Sequence, residues 1–442
     1  MTGLTSRLLV RGAAALAAGT LVWGAATPVA LADQVRDQQW ALKTFEAEAK
    51  VWPLSQGEGV VVAVLDSGVN SEHQDLTGQV LPGADFSGNK SDGRIDTDGH
   101  GTAMASLIAG HGHAGQAGVM GLAPKAKILP VKVRTSDGGP IPEQNDLAAA
   151  IRFAADNGAK VINMSLGGSR FDSQSRKAVA YAVSKDVVLV AATGNDGKSD
   201  GVGYPAAFPG VVAVGAVDSK GVVWEDSTSG SETTLIAPGV GIYHASAKSP
   251  TSYSVGDGTS DSTAYVSATA ALIRSKYPNL SAGQVINRLI KSATPPANGT
   301  IVPNNHYGYG TVSPAKALEP NPAVDNGPKE NPLVKRPESK GTPPGYDDDS
   351  DATDQPSVQP VVPEGDSGGS SDSTGLGIAA AVAGAVVLGA SVAAVLMARR
   401  RKRAAAAASA AAAGVWPQQP PYQQPPYQQP PYQQPPYGGP GQ

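Results

Sequence analysis

No cysteine occurs among the 442 residues. Disulfides, thiolate nucleophiles and cysteine-bound zinc are thereby excluded, and any folded part must be held by packing alone. Aromatic residues are scarce at 5%, whereas 53 glycines and 36 prolines are present and much of the proline lies beyond residue 318. The chain therefore does not read as one globular unit, although a folded part of about 280 residues can bury a sizeable core as one domain. Acidic residues are missing from both ends: neither 1–32 nor 375–442 contains one. Setting aside the seven basic residues of those two segments leaves 27 basic residues against 38 acidic ones, a net charge of -11. An acidic middle disfavours nucleic-acid binding there.

The two ends carry targeting patterns. Residues 1–32 read as a signal peptide: Arg7 and Arg11 come first, Gly12 to Ala26 is apolar, and Ala30-Leu31-Ala32 forms a small-residue cleavage site before Asp33. An uncleaved N-terminal anchor is the alternative. Gly375 to Ala398 is uncharged and long enough to cross a ~30 Å hydrocarbon core as a helix. Arg399, Arg400, Arg401, Lys402 and Arg403 follow at once, which places the C-terminus in the cytoplasm. The expected arrangement is a single-pass protein of the cell membrane with its body extracellular. Residues 319–374, rich in Pro, Asp, Ser and Gly, read as a disordered tether. After the basic block, four Gln-Gln-Pro-Pro-Tyr units span Gln418 to Tyr437; they read either as a polyproline ligand or as a solvated low-complexity tail.

The body, 33–318, alternates two kinds of segment. Val60 to Leu65, Lys127 to Val133, Lys160 to Met164 and Val187 to Ala192 are short β-branched runs. Glu143 to Asn157 and Ser173 to Lys185 read as helices between them. Such alternation predicts an α/β fold with a mostly parallel sheet covered on both faces, whose sites lie beyond the carboxyl ends of the strands. Asp66 directly follows the first strand and Asn195 closely follows another.

Those residues belong to a series of motifs: Asp66-Ser67-Gly68, Asp98-Gly99-His100-Gly101-Thr102, Ala192-Thr193-Gly194-Asn195-Asp196 and Gly258-Thr259-Ser260. Serine is a poor nucleophile until a base takes its proton, and the base needs an orienting acid. Asp66 can orient His100, His100 can serve Ser260, and the flanking Gly99 and Gly101 leave room for a substrate chain. Ser260 opens a helix through Val266 to Ile273, so its N–H is free to face a developing oxyanion, with the Asn195 amide as second donor. The chemistry so assembled is acyl transfer.

From about Gly57 to Ala317 the body resembles the subtilases, whose order of acid, base and nucleophile is Asp, His, Ser. The resemblance implies a subtilisin-like three-layer fold and a serine-type endopeptidase working through an acyl-enzyme. It implies Asp66 as orienting acid, His100 as base, Ser260 as nucleophile, Asn195 as oxyanion donor, and Ser165, Leu166 and Gly167 as the edge that pairs with the substrate backbone. No cofactor is required. The layout is similar to the mycosins, membrane-anchored subtilases associated with type VII secretion, in its leader, Gln39-Trp40, proline-rich linker and late span. Partners would be exported polypeptides, the membrane and secretion components, with no nucleic acid. A structural subunit stabilising a secretion complex, with proteolysis dispensable, is the alternative.

The nucleophile motif departs from the family pattern Gly-Thr-Ser-Met-Ala-x-Pro. Asp261 stands for Met, Ser262 for Ala and Ala264 for Pro. Without the proline the helix is expected to run more regularly. Asp261 lies about 100° around the helix from Ser260 and is expected to point away from the cleft. Asp92, Asp96 and Asp98 have the composition of a structural calcium loop. His111 and His113, two apart across Gly112, are poor evidence for a metal pair, and His73, His244 and His306 read as surface or packing residues.

Overall fold

Strand β1, Val61–Asp66, is apolar on both faces until its last residue, as a strand buried between two helical layers must be. It sits inside a seven-stranded sheet of order β2-β5-β1-β6-β7-β8-β9. The other members are β2 (Ala84–Asp85), β5 (Lys127–Lys132), β6 (Val161–Met164), β7 (Val188–Ala192), β8 (Val211–Val217) and β9 (Thr233–Pro238). Every pairing in this sheet is parallel. The computed structural model describes residues 35–88, 91–133, 144–168, 171–197 and 201–337. Two antiparallel hairpins complete the strands: β3 (His111–His113) with β4 (Ala117–Met120), and β10 (Ile242–Ala245) with β11 (Tyr253–Gly256).

Alternation along the strands divides the core in two. Val62, Val64, Val161, Val190 and Val214 face one side, against the helices His100–Ala109, Thr259–Lys276 and Ala282–Ser292. Ala63, Leu65, Ile162, Leu189 and Ala213 face the other, against Gln144–Asp156 and Ser173–Ser184. The expected three-layer α/β architecture is therefore present, and the helices and first strands lie within a residue or so of their expected bounds. β8 and β9 were not among the expected strands.

The Thr259–Lys276 helix is buried from Thr259 through Arg274 although it is rich in Ser and Thr. Its hydroxyls are internally satisfied: Ser262 donates to the Ala237 carbonyl (2.8 Å), Thr263 to Thr259 (2.7 Å) and Thr269 to Tyr265 (2.8 Å). Small side chains let this helix lie close on the sheet. It runs unbroken past Ala264, in keeping with the missing proline.

Segments on both sides of the sheet domain clamp onto it. The Gln39 amide exchanges two 2.9 Å hydrogen bonds with the Met120 backbone, and the Trp40 indole donates to Val240 O at 3.0 Å. At the other end, residues 319–337, expected as the start of a disordered tether, are packed on the sheet domain. Arg288, 1% exposed, holds both oxygens of Asp325 and the carbonyls of Ala317 and Glu319, with its guanidinium 4.0 Å from the Tyr277 ring centre. Arg336 donates to the carbonyls of Ala206, Phe208, Val211 and Glu232, and Leu333 is buried. Proline-rich composition reads as a loose tether, but here Arg288 and Arg336 tie it to the sheet domain. Arg288→Ala, which leaves the partly exposed Asp325 carboxylate and two carbonyls without their buried guanidinium partner, is expected to cost about 3 kcal/mol in denaturant unfolding. A change under about 0.5 kcal/mol would deny this clamp any weight.

Among the described residues no helix is long and apolar enough to cross a membrane. The expected signal peptide (1–32), the span at 375–398, the tail at 399–442 and the rest of the tether lie outside the described residues.

Candidate active site

β1 is where the strand order reverses: β5 lies on one side and β6 on the other. A crevice beyond the carboxyl ends of strands is expected at such a point. Asp66 ends β1, Ser165 follows β6 directly and Asn195 lies three residues beyond β7, so three neighbouring strands feed one edge.

Asp66 is fully buried. Its Oδ1 accepts the Ser67 N–H at 2.8 Å. The His100 Nδ1–H donates to Asp66, with Nδ1 2.8 Å from Oδ1 and 2.9 Å from Oδ2. A carboxylate on Nδ1 fixes the tautomer and leaves Nε2 as the acceptor. The imidazole is 28% exposed, so it is buried on its acid side and open to the cleft.

The turn of the His100–Ala109 helix is held by residues with no apparent role in the motif alone. Ser67 Oγ accepts the Gly101 N–H at 2.9 Å. Asp96 accepts from the backbone N–H groups of Asp98, Gly99 and Thr102 and from the Thr102 hydroxyl. Asp92 is engaged by Arg94, through Nε at 2.6 Å. Asp98 Oδ1 accepts the His100 N–H at 3.2 Å, so the three acids expected for calcium each do local work, and among the described residues no group of three His, Asp or Glu side chains is placed to hold a metal ion. The glycine after His100 has a packing reason rather than a substrate one. A Cβ on Gly101 would overlap the Gly68 carbonyl oxygen and stand 3.1 Å from Asp66 Cβ. Gly101→Ala should displace the imidazole and lower kcat by about 100-fold, the penalty of an ångström-scale misplacement; wild-type kcat in a folded variant would refute the close-packing argument.

Ser260 is the second residue of the Thr259–Lys276 helix and 9% exposed. The helix carrying His100 packs directly against this one. Ser260 Oγ donates to the Ser165 carbonyl at 3.3 Å, and Ser165 Oγ donates to the Ser260 carbonyl at 2.9 Å. Behind them Ser267 Oγ donates to Asn163 Oδ1 (2.9 Å) and Asn163 Nδ2 to Ser165 Oγ (3.0 Å). This buried chain fixes the serine's backbone; Asn163 and Ser267 gave no sequence signal because strand and helix patterns both predict apolar residues there. Beyond Ser165, Leu166 is half-buried, Gly167 is exposed, and Gly168 exchanges backbone hydrogen bonds with Tyr204. Ser165, the first residue of the expected substrate edge, therefore borders Ser260.

Asn195 is oriented by its oxygen. Oδ1 accepts from Thr259 N–H (2.9 Å) and Thr259 Oγ (2.8 Å), which turns Nδ2 the other way. Nδ2 then lies 3.4 Å, and the Ser260 nitrogen 3.6 Å, from the point where a Gly258 Cβ would stand. Two donors thus converge beside the serine.

Asp261 does not point away from them. Its Oδ2 is 3.4 Å from the same Gly258 position, and His100 acts on it electrostatically. The helical angle from Ser260 did not take account of the side-chain-free Gly258 beside it. The carboxyl is 4% exposed and its Oδ1 has no hydrogen-bond partner. Burial pushes its pKa up to about 7, against the opposing pull of His100.

The remaining histidines are placed elsewhere. His113 Nδ1 is 2.6 Å from Asp75 Oδ1, and His111 Nδ1 donates to the Gly112 carbonyl. His73 is fully buried with Nε2 on the Ser252 carbonyl. Burial lowers the His244 pKa, and the charge of His100 lowers it further.

The model of the subtilase family, peptidase S8, matches residues 57–310. Subtilisin DY of Bacillus licheniformis is 38% identical over 267 residues, 60% of this chain and 92% of that protein. Subtilisin E of Bacillus subtilis is 38% identical over 266 residues, 60% of this chain and 66% of that protein. Among solved structures, MycP1 from Mycobacterium smegmatis superposes with a TM-score of 0.58 at 27% identity, covering 68% of this chain and 89% of its own. The MycP3 protease from the type VII (ESX-3) secretion system superposes at 0.55 with 35% identity, covering 64% and 87%. The chain belongs to the subtilases, the serine endopeptidases whose sheet, motif order and sequence it shares.

Proposed function

We propose that this protein is a membrane-tethered, mycosin-like endopeptidase of a type VII secretion apparatus that cleaves exported polypeptides through an acyl-enzyme on Ser260. The observation that carries the chemistry is the His100 imidazole seated on both oxygens of buried Asp66, with Ser260 at the start of an adjoining buried helix. Ser260 Oγ attacks the scissile carbonyl carbon while His100 Nε2 takes its proton; the carbon–oxygen π pair moves to the carbonyl oxygen. Asn195 Nδ2 and the Ser260 N–H receive that oxyanion. Collapse expels the amine, which takes the proton from His100, and water then repeats the sequence on the ester. The Ser165–Gly167 edge holds the substrate backbone as an added strand.

The secretion role is supported by the likeness to MycP1 and MycP3, the latter described as a type VII protease. Tethering is supported by the uncharged run 375–398 and the basic block after it, and export by the leader at 1–32. A peptidyl p-nitrophenyl ester tests the mechanism: a burst of one nitrophenolate per active site is expected, and linear release from time zero would oppose an accumulating acyl-enzyme. Secretion in cells carrying Ser260→Ala separates catalysis from assembly. Lost secretion with the protein still present supports the peptidase role, and intact secretion supports a structural one.

A further inference from the structure

The carboxyl of Asp261 is the one group at the site that the mechanism leaves unused. It adjoins the nucleophile in sequence, is 4% exposed, and has an unpartnered Oδ1. Its Oδ2 shares the Gly258 position with both oxyanion donors. An ionised carboxylate there would oppose the negative charge that those donors exist to receive. Asp66 already neutralises the imidazolium, so the oxyanion, which meets only dipoles, is the less compensated of the two transition-state charges.

We propose that Asp261 serves the active site as a neutral carboxylic acid, and that its ionisation switches peptidase activity off. The proposal rests on the reading of Ser260 and Asn195 as nucleophile and oxyanion donor.

The surroundings favour the neutral form. The groups acting on Asp261 are His100 from the neighbouring helix and the backbone N–H of Asp261 itself, which stabilise the anion, and Asp257 from the segment after β11, which opposes it. Tyr265, one turn along the same helix, is fully buried and has its own pKa raised by burial and then by Asp261. His244 on β10 has its pKa lowered by burial and, less, by His100. Burial outweighs the rest and brings the Asp261 pKa up to about 7, within the range in which an exported enzyme works. The sign follows directly. Below that value the acid is uncharged and the oxyanion is unopposed; above it the site carries a second anion. On the acid side activity is limited by protonation of His100. The two limits give a bell whose alkaline limb belongs to Asp261. Repulsion between like charges in one site at an effective dielectric constant near 20 corresponds to roughly 10- to 100-fold in rate.

The rate of fluorophosphonate labelling of the full-length protein, followed from pH 5.5 to 9.5, tests this. Wild type is expected to fall on the alkaline side. Asp261→Asn, the same shape without a titratable proton, should raise the ratio of rates at pH 9 to pH 6 by about 10-fold or more. Asp261→Ser gives the same reading if the amide variant does not fold. An alkaline plateau in wild type, or superimposable wild-type and variant profiles, overturns the proposal while leaving the Ser260 assignment intact. A folded wild type that is not labelled at any pH overturns both.

Discussion

Ser260→Ala leaves a folded protein whose peptidase rate is lower by about 10⁶-fold, the scale set by the same loss in subtilisin itself. The fold should survive because the side chain's one described hydrogen bond is a 3.3 Å contact to Ser165, whereas the backbone carbonyl of Ser260 keeps its bond to Ser165 Oγ. The helix start is kept by Thr259 on Asn195. Removing Oγ deletes the only atom that can form the acyl bond, and residual hydrolysis would come from the donors and bound geometry alone. The comparison is of kcat on a peptide ester with thermal unfolding of the same preparations. A loss below 10²-fold with unchanged unfolding would place the nucleophile elsewhere.

Asp66→Asn should lower kcat by about 10⁴-fold with KM little changed. Asp66 touches no substrate: it is fully buried behind the imidazole. Its work is to accept the Nδ1–H hydrogen bond, at 2.8 and 2.9 Å, and so fix the tautomer in which Nε2 can take the serine proton. An asparagine amide can present N–H to Nδ1 and stabilise the opposite tautomer, in which Nε2 carries the hydrogen and cannot act as a base. The imidazolium formed in the transition state also loses its counter-ion. The loss should therefore sit in kcat. Equal loss through KM would mean that Asp66 shapes the cleft instead.

Much of this site was legible in the sequence because its groups sit where strand and helix patterns change. Asp66 stands out as the first charge after five apolar residues, and Ser260 as the residue opening a long buried helix. Asn195 was legible for the same reason, in a turn just past a β-branched run. What was not legible depends on contacts between distant segments. Ser67 supports Gly101, and Ser267 holds the Asn163 that supports Ser165, across gaps that no periodicity spans. Asp96 reads as a calcium ligand by composition but spends its lone pairs on the turn before Thr102. β8 contains Gly215, and β9 begins with two threonines and ends in proline, which blurs the strand pattern. The orientation of Asp261 was misread because a helical angle alone says nothing about which neighbouring space is vacant. Residues 319–337 were misread because their partners, Arg288 and the carbonyls that meet Arg336, lie far from them in sequence.

The most direct measurement is covalent labelling. Full-length protein is treated with a fluorophosphonate, digested and mapped by mass spectrometry, alongside His100→Ala. A single phosphonylated residue, Ser260, with labelling abolished in the His100 variant, is the expected result. Folded wild type that stays unlabelled, or carries the adduct on another serine, would contradict the assignment of Ser260, His100 and Asp66 as one working triad.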